Sequence, residues 1–166
     1  TEDDLSEIEG FYETETGEAG PPVLQTGFNR RFSPYMVELK RLARSSGTPL
    51  IMNYQMNAGF LPVDHWLRTD EGGGRNLGEA CHIYDLFTFL TDARVSAVRT
   101  ASITPANGDH ARNENFTTTL SFEDGSMGTL TYTTLGAKGH PKELLHVYAD
   151  EAVYVMTDYT RLEATG

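Results

Sequence analysis

Apolar and polar residues follow two different rhythms along the chain. The first 90 residues carry mostly helical spacing, and the remainder alternates with a period of two. Leu5, Ile8 and Tyr12 fall on one face of a short helix over residues 1–12, with Thr1 as cap and Glu2, Asp3 and Asp4 at its positive end. Residues 13–22 (ETETGEAGPP) predict a flexible loop, and residues 23–28 (VLQTGF) a short strand. Ser33-Pro34 is a helix start, and Tyr35, Met36, Leu39, Leu42 and Ala43 supply the apolar face of a helix ending at Ser45-Ser46-Gly47. Residues 50–57 (LIMNYQMN) alternate, with Asn53, Gln55 and Asn57 opposite Met52, Tyr54 and Met56. Residues 58–71 are irregular. Residues 79–90 predict a buried helix, apolar almost all round from Ile83. Strands follow over residues 94–103, 116–122, 127–135, 144–149 and 152–157, with turns at Asp124-Gly125 and Asp150-Glu151 and loops at 105–113 and 136–141. The class is α+β: an open, mostly antiparallel sheet with helices on one face. Its other face, rich in threonine, is polar or meets a partner.

Composition narrows the function. A formal net charge of −11 argues against a nucleic-acid partner or an anionic membrane surface. No apolar run approaches the roughly 18 residues of a membrane span, and the acidic N-terminus is unlike a signal peptide. The single cysteine, Cys81, cannot form an internal disulfide, so a reducing, cytoplasmic setting is expected. No Cys/His spacing matches a structural zinc site.

The candidate chemistry lies in residues 72–85, GGGRNLGEACHIYD. Three glycines permit positive φ angles and a close backbone approach to a ligand. Glu79, His82 and Asp85, three residues apart, form one polar stripe on a greasy helix. Such a stripe is either the wall of a cleft or a set of side chains bonded to each other and to nearby backbone. A metal site is another possibility, with His110, His140 or His146 as a further ligand, but three ligands spread on one helix converge poorly. Asn53, Gln55, His65 and Trp66 are further candidate ligand contacts, with solvent-facing amides and a packing tryptophan as the plainer alternatives. Cys81 reads as a small buried hydrophobe.

Taken in order, these residues resemble the C-terminal part of the Gfo/Idh/MocA family of NAD(P)-dependent oxidoreductases. Residues 23–32 (VLQTGFNRRF) are similar to the family's last Rossmann strand and its Arg-Phe exit, residues 33–46 to the crossover helix, and Gly72-Gly73-Gly74 with His82 and Asp85 to the glycine-rich signature and active-site helix. Residues 115–135 are similar to the long hairpin of its sheet. The resemblance implies residues 1–32 as the tail of a dinucleotide-binding domain and 33–166 as a substrate and oligomerisation domain, with a sheet of six or so strands. It implies hydride transfer on a sugar, inositol or related polyol, His82 working on the hydroxyl proton and Asp85 orienting the ring. Asn53, Gln55, His65, Trp66, Arg75 and Glu79 would contact substrate, and Arg31, beside Arg30, the cofactor. NAD or NADP would be held mainly by a preceding domain, since neither G-x-G-x-x-G nor Glu-Lys-Pro stands in this chain. The expectation is therefore a C-terminal fragment that self-associates through its sheet face. The NRRF and GEACH wording also resembles a subgroup fused behind a zinc-type alcohol dehydrogenase module. Gly78 stands where the family usually has an aspartate, which leaves a non-catalytic binding or assembly module as the alternative.

Overall fold

The computed structural model describes residues 2–14, 20–45, 47–69, 71–104 and 112–166, the Arg112 side chain excepted. Three helices, α1 (Glu2–Thr14), α2 (Pro34–Ser45) and α3 (Cys81–Thr91), accompany seven strands: β1 (Ile51–Asn57), β2 (Val95–Ser102), β3 (Phe116–Phe122), β4 (Met127–Thr133), β5 (Glu143–Ala149), β6 (Ala152–Thr157) and β7 (Arg161–Thr165). They form one sheet in the order β2-β3-β4-β1-β5-β6-β7. Every pairing is antiparallel except β1 with β4. The sheet thus has seven strands, where the resemblance implied six or so.

Alternation sets the two faces. Met52, Tyr54 and Met56 of β1, Leu130 and Tyr132 of β4, and Leu145 and Val147 of β5 point to the helices and are essentially buried. Against them pack Met36, Leu39 and Ala43 of α2 and Ile83, Leu86, Phe87 and Leu90 of α3. Burying each such large side chain stabilises by about 1.5–3 kcal/mol. Gly128 lets α3 come close, because a Cβ there would lie 2.6 Å from the Phe87 ring. The opposite face carries a threonine ladder, Thr119 against Thr129 and Thr117 against Thr131. Gly125 takes φ +86° in the β3–β4 turn, and Asp150 and Glu151 both take positive φ in the β5–β6 turn.

Three local expectations change. Residues 23–28 form no strand and are mostly exposed; a strand is made by its ladder, and no neighbour here offers one. α1 runs to Thr14 with Leu5, Ile8 and Phe11 exposed, and its expected cap Thr1 lies outside the described residues. The buried helix begins later than expected, at Cys81, and is entered through a π-helical turn, Asn76–Ala80. The expected loops fall partly on residues 15–19 and 105–111, outside the described residues, as do Ser46 and His110.

Candidate active site

His82 sits in the first turn of α3, directly after the π-turn. Such turns recur at functional sites because they re-aim the side chains that follow. The approach is set by glycine. A Cβ on Gly72 would lie 2.6 Å from the Leu67 Cα, and Gly73 and Gly74 take φ +65° and +72°. One on Gly78 would lie 3.1 Å from the Leu67 side chain.

The His82 ring is half-buried and stands edge-on to Phe28, 5.6 Å between centroids. Its Nδ1 is shielded from water and has no hydrogen-bond partner among the described residues. Burial pushes its pKa below the usual histidine value and the Arg30 charge adds to this, while Asp85, Glu143 and Glu79 pull the other way. The neutral imidazole is therefore favoured.

Three carboxylates surround it, each clasped by cations. Arg30 donates from Nε and Nη2 to the two Glu143 oxygens, both at 2.8 Å. Burial works against the Arg30 charge, but the Glu143 bond and charge overcome this and raise its pKa. The Tyr54 hydroxyl also donates to Glu143, and Tyr159 lies 3.1 Å from Tyr54. Arg31 grips Asp85 with two bonds, one of them 2.8 Å from Nε. Glu79 receives Arg75 at 3.0 Å, Tyr132 at 2.5 Å and Lys142 at 2.8 Å. Burial would raise the Glu79 pKa, yet the Lys142 and Tyr132 bonds and the Lys142 and Arg75 charges bring it below the carboxylate norm. Arg75 also donates to the Gly59 carbonyl at 2.9 Å, and its Nε is buried without a partner among the described residues.

The structure thus gathers His82, Asp85, Glu79, Arg75 and Arg31 at one end of α3, and separates the remaining candidates from them. Asn53 and Gln55 lie on the threonine face, away from the helices, because Tyr54 between them points inward. His146 is in register with Asn53 on that same face. His65 accepts a hydrogen bond from the Leu67 amide through Nδ1, and its ring lies 6.2 Å from that of Trp66, which is 62% exposed. Asp85 makes no hydrogen bond to the imidazole: Arg31 binds both of its oxygens, and Asp85 acts on His82 through its charge. Arg31 is accordingly engaged with Asp85. Among the described residues no three His, Cys, Asp or Glu side chains converge as metal ligands, since arginine and lysine occupy the carboxylates. Cys81 donates to the Leu77 carbonyl, and burial raises its pKa, so it is no thiolate nucleophile.

Glu143, Tyr54, Tyr159 and Lys142 were not among the expected site residues. One signal was present: Glu143 is in phase with the inward-facing Leu145, Val147 and Ala149, and a charge on the core side of a strand demands a partner.

Residues 37–155 match the GFO/IDH/MocA C-terminal domain. The chain belongs to this family. Over 126 residues the Gfo/Idh/MocA chain is 25% identical to the uncharacterized oxidoreductase YrbE of Bacillus subtilis, covering 73% of itself and 36% of YrbE. Its fold is similar to that of a WlbA dehydrogenase from Chromobacterium violaceum, solved in complex with NADH and UDP-GlcNAcA, with a TM-score of 0.72 and 17% identity over 98% of this chain and 47% of that one. It is also similar to an oxidoreductase from Thermotoga maritima, with a TM-score of 0.70 and 16% identity over 96% and 48% of the two chains. The chain therefore spans about a third of its curated relative and about half of these solved structures. No described helix is long and apolar enough to cross a membrane.

Proposed function

We propose that this Gfo/Idh/MocA domain serves an oxidoreductase that transfers hydride between NAD or NADP and a carbinol carbon of a sugar, inositol or related polyol derivative, with His82 as acid and base. The observation that carries the reading is the His82 ring: half-buried, biased to its neutral form and flanked by ion pairs that fix the charges around it. A neutral imidazole can take the hydroxyl proton as the C–H bond gives up its hydride and the carbonyl forms. In the reverse direction the imidazolium returns the proton to the alkoxide. Bound nicotinamide supplies the chemistry of accepting or returning that hydride. The orphaned Nδ1 and the edge-on Phe28 ring fit a planar neighbour at this wall, and Phe28 and Arg31 are the residues of this chain that would border it. Asp85 tunes the proton affinity of His82 through its charge and holds Arg31. Glu79 and Arg75 line the substrate side, and Trp66 offers an exposed ring on the loop packed against the π-turn. The open threonine face is the surface for self-association.

The experiment is His82→Ala in the complete protein. Turnover, followed by nicotinamide absorbance with a panel of sugars and polyols, should fall by about 10²–10⁴-fold, with circular dichroism unchanged. Survival of turnover would end the acid–base assignment. Gly78 favours one other reading, a binding module without catalysis, because the site of the usual aspartate is filled from outside by Leu67. A complete protein that binds a polyol but never turns it over would establish that reading instead.

A further inference from the structure

The sheet ends in two unlike edges. β7 is short and charged, RLEAT, with Arg161 and Glu163 paired along it. Charged side chains keep an edge from joining another strand. β2 (VSAVRTAS) is longer, holds neither proline nor glycine, and has Arg99 as its only charge. It is exposed on both faces from Val95 to Ala101. A bulge interrupts it between Val95 and Ala97, so its regular part starts at Ala97.

The register shows which backbone groups face outward. In an antiparallel pair every second residue bonds to the neighbouring strand, and those between point their N–H and C=O the other way. Ile103 donates to the Asn115 carbonyl, in step with Ala101 opposite Thr117 and Arg99 opposite Thr119. Val98, Thr100 and Ser102 therefore turn their backbone groups away from β3, and no described strand pairs there. The side chains of these residues line, with Phe116, Leu120 and Tyr84, an open groove of about 540 Å³ on the helix side of the sheet. Val98 is 60% exposed within it. Neither β2, β3 nor the groove lining holds a carboxylate. Asp92 and Glu123 lie beyond the bulge and Glu114 before β3; Lys40 holds Asp92 and Arg68 holds Glu114. Two copies of a chain with net charge −11 repel one another, and along this edge they can meet without opposing carboxylates.

We infer that β2 is an interaction surface for β2 of a second copy, paired antiparallel about a two-fold axis at Thr100 and joining the two sheets edge to edge. Centring on Thr100 uses the outward groups of all three residues, with Val98 opposite Ser102 of the partner subunit. It keeps the bulge out of the ladder, and it sets Arg99 opposite Ala101 of the partner subunit and not opposite itself. The two grooves then adjoin across the axis on the inner side of one continuous sheet. This edge is distinct from the threonine face, and the inference does not depend on the hydride-transfer reading.

The test is sedimentation velocity on the complete protein: the parent, Thr100→Lys, Thr100→Glu, and an equimolar mixture of the two variants, with circular dichroism to confirm the fold. The parent should associate. Each variant alone should fall to half the parent's mass, because like charges then face each other at the axis. The mixture should regain the parent's mass, because lysine then faces glutamate. A parent of single-copy mass, variants that keep the parent's mass, or a mixture that stays dissociated overturns the inference. A second measurement needs no variant. The outward Val98, Thr100 and Ser102 amides of the parent should resist deuterium exchange as inner-strand amides do, and exchange as fast as exposed backbone also overturns it.

Discussion

Breaking the Arg30–Glu143 pair from its two ends should cost similar stability and move His82 in opposite directions. The side chains are only 14% and 11% exposed and meet through two bonds of 2.8 Å. Removing one partner strands the other charge in a mostly dry setting, at about 3 kcal/mol, a large share of a domain stability of about 5–15 kcal/mol. The effect on His82 is a matter of sign. Arg30 lowers its pKa and Glu143 raises it. Arg30→Gln removes the cation and leaves the carboxylate uncompensated, so both changes raise the His82 pKa. Glu143→Gln removes the anion and leaves the guanidinium, so both lower it. At a half-screened site one charge is worth about 1 kcal/mol, or about 0.7 of a pH unit. The two variants should therefore differ by about one pH unit or more. The assay is an NMR pH titration of the histidine ring protons, with His82 assigned by His82→Gln among the five histidines. Titrations that move the same way in both variants, or stay together, would refute the electrostatic picture of the site.

Three other outcomes are expected. Gly128→Ala should lower stability in urea by about 1–3 kcal/mol, because its Cβ would press into the Phe87 ring; recovery on adding Phe87→Leu would locate the clash, and an unmoved midpoint would mean the sheet and α3 are not tightly spaced there. Keeping His82 neutral contributes stability that is present above its ordinary value of 6.5 and is lost as pH falls below it, and the depressed Glu79 acts likewise below its ordinary 4.5. Thermal melts of His82→Gln should accordingly depend less on pH from about 7 to 5, and those of Glu79→Gln less in more acid buffers; slopes identical to the parent's would contradict this. Glu114→Gln should cost about 3 kcal/mol by removing the carboxylate that Arg68 clasps at 2.6 and 2.5 Å at the end of the Trp66–Arg68 turn; a melting temperature equal to the parent's would show that the pair does not tie that loop down.

Local patterns carried much of the architecture. The Ser33-Pro34 start, the inward Met52, Tyr54 and Met56, and the Asp124-Gly125 and Asp150-Glu151 turns are readable because each depends on residues within a few positions of one another. β7 escaped because RLEAT is a mostly exposed edge strand with little apolar alternation to announce it. The inverse error, a strand over residues 23–28, came from alternation without a ladder. The insertion of β1 between β4 and β5, parallel to β4, was also not legible, since period-two patterning says which way side chains face and nothing about which strand lies alongside.

For the site, sequence by itself determined that a glycine-bearing approach leads into a greasy helix carrying Glu79, His82 and Asp85, because those features are contiguous and helix geometry is local. Only the tertiary structure decided what those groups do to one another. Arg30 and Glu143 are 113 residues apart, Arg31 and Asp85 54, and Lys142 reaches Glu79 from the start of another strand. It was the order of strands in the sheet that brought Glu143 and Lys142 to the end of α3 that carries Glu79 and His82. Charge, burial and hydrogen bonding are set by through-space neighbours, and the proton affinity of His82 follows from them.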